Sequence, residues 1–84
     1  MTTAITRQRF ERIREIVAEH LELEVKDLTD DSHFIDVHGA DSLALIDVLA
    51  ALEKEFSIEI DQAQFARMLD VRSVYDVAAE SAGW

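Results

Sequence analysis

Ser42 is the residue in this sequence best placed to accept a chemical group. It follows Asp41, a strong helix-capping residue type, and it precedes the apolar run LALIDVLAALEKEF. Its hydroxyl is therefore expected in the first turn of a helix. Unpaired N–H groups and the positive end of the helix dipole favour a phosphodiester there. A lone serine at a helix start is ordinarily only a cap. Nothing nearby is built to make Ser42 a catalytic nucleophile: the surroundings are not a G-x-S-x-G elbow, and no His–Asp partnership follows from the spacing.

Two other constellations fail on their chemistry. His20, His33 and His38 lack the paired spacing of a helical metal site, and the chain has no Cys to join them, so no metal site is assigned. The acidic stretch Asp27, Asp30, Asp31, Asp36, Asp41 invites a calcium loop. Counted from Asp30, however, the fifth position is Phe34 and the sixth is Ile35, where an oxygen ligand and a glycine are needed.

The elements that must position Ser42 are legible from periodicity. Phe10, Ile13, Val17 and Leu21 form the stripe of an amphipathic helix expected over about Thr6 to Leu21, with Thr6 as cap. A long aperiodic stretch follows, Glu22 to Asp41, with Val25, Leu28, Phe34 and Ile35 expected to pin it onto the helices; loops this long are often functional. The second helix carries Leu45, Val48, Leu49, Leu52 and Phe56 on its core arc. A second apolar set, Leu43, Ile46 and Ala50, shares another face with Asp47. More core or a docking surface would both explain it, and the pattern alone does not choose. Phe56, Ile58 and Ile60 read as an extended connector. Asp61 caps a short third helix bearing Phe65, Met68 and Leu69, and Asp70 or Ser73 caps a last helix bearing Val74, Val77 and Ala78. The expected fold is all-α: a four-helix bundle with a long first loop and a short third helix, in one domain spanning residues 1–84.

Composition sets the outer bounds. With 84 residues there is room for one small core, and without Cys no disulfide reinforces it. Eighteen acidic against eight basic residues give a formal charge of −10, which repels nucleic acid and anionic membranes and attracts basic protein surfaces. No apolar run is long enough to span a bilayer, and the N-terminus lacks a secretory h-region, so a cytoplasmic location is expected. A monomer is the expected state.

The segment HGADSLALIDVLAALEKEFSIEI resembles the heart of acyl carrier proteins, whose signature is a G-x-D-S-L run opening a helix. Here that run is Gly39 to Leu43, and Phe34 matches the family's aromatic anchor eight residues before the serine. The resemblance runs in register through nearly the whole chain. It implies that Ser42 carries 4′-phosphopantetheine, installed from coenzyme A by a phosphopantetheinyl transferase with Mg²⁺, and that acyl or aminoacyl groups ride on the arm as thioesters. It implies Asp41, Leu43, Ile46, Asp47, Ala50 and Glu53 as the partner-docking set, which decides the second apolar face in favour of docking. The implied partners are the transferase, a loading ligase or acyltransferase, and synthase and tailoring enzymes with basic patches. The chain itself would catalyse nothing. His38 in place of the family's usual Leu, and Ala44 and Lys54 in place of common acidic residues, point toward a specialised pathway such as polyketide or nonribosomal peptide assembly rather than housekeeping fatty-acid synthesis. The competing class is an unmodified acidic docking module of the same fold.

Overall fold

A computed structural model describes residues 2–84, with side chains from residue 4 onward. The described residues form three α-helices, α1 (Thr2–Leu21), α2 (Ser42–Phe56) and α3 (Val71–Ala82), with 3₁₀ helices at Val25–Asp27 and Gln62–Arg67 and no strand. The all-α bundle expected from periodicity is present, with the segment at 62–67 as its short third member. None of these helices is long and apolar enough to cross a membrane.

Each helix start carries the chemistry that its position demands. Asp41 caps α2 by accepting from the Ala44 N–H, and Asp61 accepts from the Ala63 N–H. At α3, Asp70 is the cap and Ser73 the reciprocating partner, a closed capping box that resolves which of the two residues starts the helix. α1 begins at Thr2, not Thr6, so Thr6 lies inside the helix. The alanine at position 4 and the residues around it present no helix breaker to stop the extension.

The core gathers Ile13, Ile16, Val17 and Ala18 of α1, Leu45, Val48 and Leu52 of α2, and Val71, Val74, Val77 and Ala78 of α3. α1 packs against both other α-helices, so it buries Ile16 and Ala18 beyond the single stripe read from its period. Phe10, Leu21, Leu49 and Phe56 are only half-buried. At one end of the bundle, the Trp84 ring meets Phe56 edge-on at 5.1 Å and Tyr75 at 5.9 Å, with the Arg9 guanidinium 4.4 Å from its centroid.

The segment at 62–67 is 3₁₀ and not α. Six residues are too few to sustain α-helical nucleation, and the Gln64 N–H accordingly bonds back three residues to the Asp61 carbonyl. In a 3₁₀ turn positions i and i+3 eclipse while i+4 rotates away. Met68 is buried, Phe65 half-buried, and Leu69, grouped with them under an α-helical period, is exposed. Arg67 clamps the segment to α3 through a two-bonded fork on Glu80, at 2.8 Å for each arm, which holds the Glu80 carboxyl below the usual glutamate range.

The long first loop is pinned by fewer residues than its sequence suggests. Leu28 and Phe34 are buried, but Val25 and Ile35 are exposed. Polar anchors do the remaining work: half-buried Arg14 donates to the Leu28 carbonyl at 2.6 Å and pairs with Asp30, while Arg72 pairs with Asp31.

α2 ends on Ser57 in the left-handed conformation, φ 54° and ψ 48°, where a Cβ is strained. Replacing Ser57 by Gly is expected to raise stability by about 0.5–1 kcal/mol, read as a higher urea midpoint with an unchanged slope. An unchanged or lower midpoint would show that the strain is not stored there.

Candidate functional site

The approach to Ser42 is shaped by one glycine and one carboxylate. Gly39 sits at φ +67°, and a Cβ built on it meets nothing within 4 Å, so backbone conformation and not crowding calls for glycine here. Asp41 is extended, and its carboxylate accepts from the Ala44 N–H at 2.9 Å while its carbonyl accepts from the Leu45 N–H. Among the described residues this leaves the N–H groups of Ser42 and Leu43, the first two of the helix, without partners.

Ser42 is the first residue of α2 and is exposed, with no side chain bonded to its hydroxyl among the described residues. Among the described residues no general base is bonded to it. The histidine closest in sequence, His38, is engaged with Ser32 at 3.0 Å, and His33 lies 3.4 Å from Asp36. A free hydroxyl at the positive end of a helix, open to solvent and unactivated, suits an attachment point whose reaction is driven by another protein.

α2 presents the rest of the site along its outer face. Leu43 is 72% exposed and Ile46 50%, and Asp47 and Ala50 are exposed with them. Glu53 is placed differently: it is half-buried, and one carboxylate oxygen accepts from the Ile60 N–H at 2.8 Å, fixing the connector after α2. Beside this face, Ile46, Leu49, Gln62 and Phe65 line an apolar hollow of about 210 Å³.

Two carboxylates of the acidic loop are spent on arginines of the chain itself. Asp30 is paired with Arg14 and lies near Arg72, and Asp31 is paired with Arg72. Among the described residues no cluster of His, Asp and Glu has the geometry to hold a metal ion.

Together, bundle and site define a carrier-type scaffold: a small helical body that displays one hydroxyl beside an apolar, acid-rimmed helix face. The comparisons agree. The phosphopantetheine attachment site family matches residues 11–80. Over 82 residues the chain is 43% identical to the polyketide-8 synthase acyl carrier protein 1 of Streptomyces avermitilis, covering 98% of each chain. It is 30% identical to acyl carrier protein 2 of the same synthase, covering 98% of this chain and 91% of the relative. Among solved structures, a chain of the ishigamide ketosynthase/chain length factor matches with a TM-score of 0.75 and 49% identity, over 92% of this chain and 97% of that one. The holo acyl carrier protein of Geobacter metallireducens matches at 0.71 with 16% identity, over 88% and 85%, a likeness of fold. The chain belongs to the phosphopantetheine-attachment family of acyl carrier proteins. The prosthetic group of that family, 4′-phosphopantetheine, fits the residues present, because a phosphodiester needs an accessible hydroxyl and unpaired donors at a helix start.

The cap and the charge of Asp41 can be separated. Asp41→Ala is expected to lower stability by about 1 kcal/mol, whereas Asp41→Asn, which retains the capping oxygen, changes it by a few tenths of that. Equal losses in both variants, measured by urea unfolding, would assign the effect to charge and not to the cap.

Proposed function

We propose that Ser42 Oγ is the attachment atom, and that the chain is a discrete, non-catalytic carrier in polyketide assembly. The observation that carries this reading is the exposed Ser42 at the head of α2, within Gly39–Leu43, with no activating group of its own. The group supplies, when bound, a terminal thiol on which an acyl cargo is held as a thioester. The residues of the chain have simpler tasks. Ser42 offers its hydroxyl; a phosphopantetheinyl transferase would take that proton and move phosphopantetheine from coenzyme A onto the oxygen, breaking the diphosphate bond so that adenosine 3′,5′-bisphosphate leaves. Asp41 fixes the first turn so that the hydroxyl points away from the core. Leu43, Ile46 and Ala50 form an apolar docking centre, and Asp41, Asp47 and the outer oxygen of Glu53 form its acidic rim.

The polyketide assignment draws on the Streptomyces avermitilis relatives and on the 49% identity to a chain of a ketosynthase/chain length factor structure. It makes the condensing enzyme, the transferase and a loading acyltransferase or ligase the partners. A single 1–84 domain working as a cytoplasmic monomer is the simplest form of such a carrier, since one core closes within the chain.

Incubation with coenzyme A, Mg²⁺ and a broad-specificity transferase, followed by intact-protein mass spectrometry, is the direct test. The parent is expected to gain one phosphopantetheine and Ser42→Ala none. A parent that stays unmodified beside an active control would favour the unmodified docking module. Docking through charge has its own signature. Asp47→Lys is expected to lower the kcat/KM of the transferase by about tenfold at low salt, with the difference shrinking as ionic strength rises. A loss that persists in high salt would indicate a steric effect.

A further inference from the structure

His38 is half-buried, four residues before Ser42, and neither the core nor the docking face of α2 makes use of it. Its Nε2 lies 3.0 Å from Ser32 Oγ, and the same oxygen lies 3.2 Å from the Thr29 carbonyl. A hydroxyl has one proton to give, and a carbonyl can only accept. Both bonds are made together when Ser32 donates to Thr29 and accepts from the His38 Nε2–H. The result is a chain, N–H to O–H to O=C, in which each bond polarises the next. It ties residue 38 back to residues 32 and 29.

The backbone leaves this tie a task. The Val37 N–H donates to the His33 carbonyl and the Gly39 N–H to the Ile35 carbonyl, at 2.9 and 3.1 Å, winding one helical turn. The Ala40 N–H returns to the Phe34 carbonyl at 2.9 Å. These three bonds run between residues 33 and 40, so they fix the shape of the turn and not its attitude to the rest of the loop. Its front is held by the buried Phe34 ring and by the Phe34 N–H on the Leu69 carbonyl. Toward its rear, Ile35 and Val37 are exposed and add no packing. Gly39, at φ +67°, then links the turn to Asp41 and α2, and without a Cβ it meets little steric resistance in other conformations. Such a link is a hinge. Among the described residues the Ser32–His38 bond is the one side-chain hydrogen bond that ties the near side of this hinge to the chain upstream of the turn.

We propose that the Ser32–His38 tie is a positioning device for Ser42: His38, through Ser32, restrains the Gly39 hinge and holds the head of α2 in the arrangement that a phosphopantetheinyl transferase engages. This rests on the carrier reading above. Leucine, usual at this position in the family, has no donor, so the tie belongs to this chain. His38 is a positioning residue, acting on Ser42 through the backbone. When the tie opens, only a fraction of the molecules presents Ser42 correctly. The apparent affinity of the transferase falls by that fraction, while the reaction of a molecule once bound is unchanged. A surface bond that serves stability alone would leave KM where it is.

The test has two readouts on the unmodified protein. Amide exchange, read by NMR at fixed pH and temperature, follows Gly39, Ala40 and Ala44, whose N–H groups bond to Ile35, Phe34 and Asp41. Ser32→Ala and His38→Ala are each expected to exchange there about fivefold faster, the factor set by one ordinary hydrogen bond, with the core amides of Val48 and Val74 unchanged. The double variant is expected to match either single one. Transferase kinetics, on proteins that circular dichroism shows to be folded, are expected to give a KM about threefold higher with kcat unchanged. KM moves less than the opening constant because the competent fraction falls less steeply. His38→Gln, whose amide N–H stands in for the Nε2–H, is expected to restore both readouts. His33→Ala, which removes only the 3.4 Å contact to Asp36 within the turn, is expected to match the parent.

Parent-like exchange in Ser32→Ala and His38→Ala would overturn the proposal whether or not the chain is ever modified. Faster exchange with an unchanged KM would make the tie a stability feature only, and would overturn it as well. A raised KM in His38→Ala that Ser32→Ala does not share would put His38 in direct contact with the transferase, again overturning it. A parent left unmodified in the mass measurement fails the carrier reading itself, and the exchange rates then show separately whether the tie restrains the hinge.

Discussion

The insertion of Phe34 into the core is the constraint on which the rest of the molecule depends. A long loop between α1 and α2 costs little extra closure entropy, because that cost grows only with the logarithm of length. Its difficulty is positional, since nothing in an aperiodic chain fixes where it ends. Phe34 solves this with side chain and backbone together: the ring is buried, and its N–H is bonded to the Leu69 carbonyl at the foot of the 3₁₀ segment. Ala40 then closes back on Phe34, and Gly39 takes the left-handed conformation that lets the chain reach Asp41. The place where α2 starts, and hence where Ser42 stands, follows from that anchor.

α2 is divided between two duties by its own period. Leu45, Val48 and Leu52 hold it to the core, while Leu43, Ile46 and Ala50 are left to solvent. On the α1 side Arg12 pairs with Glu55 at 3.1 Å, and on the other side Glu53 holds Ile60. The cations of α1 thus serve the bundle's seams. Around the head of α2, Asp36, Asp41 and Asp47 are exposed and the chain has no Lys or Arg between Lys26 and Lys54, so the charge segregation seen in the sequence has a spatial counterpart.

Much of this was legible beforehand, for identifiable reasons. Asp41 before an apolar period marks a helix start whatever the tertiary context, and Leu45, Val48 and Leu52 form a stripe strong enough to name the core face. What escaped was context-dependent. Ile16 is buried because α1 has two neighbours, which no single-helix period reveals. Leu69 was assigned inward by an α-helical spacing that a six-residue 3₁₀ helix does not obey. Ile35 looked like an anchor because it is apolar and adjacent to Phe34, yet one helical turn has room for only one of two consecutive residues to face inward. Glu53 matched a docking rim in sequence, and only the fold shows that one of its oxygens is committed to Ile60.

The absence of a base beside Ser42 among the described residues fits what the proposed carrier has to do. A hydroxyl activated within the chain would need a neighbour buried enough to shift its proton affinity and fixed enough to aim it. In a bundle of this size such a neighbour would have to come from the core or cover the serine, and either would compete with display. Asp41 and Gly39 instead fix the backbone and leave the side chain free. Under the proposed carrier reading, recognition moves to surfaces around the serine, where exposed apolar residues would give each partner a hold and carboxylates would set its orientation and approach. The stability forfeited at exposed Leu43 and Ile46 is then intelligible under the carrier reading proposed above, in which several proteins would bind in turn, each transiently.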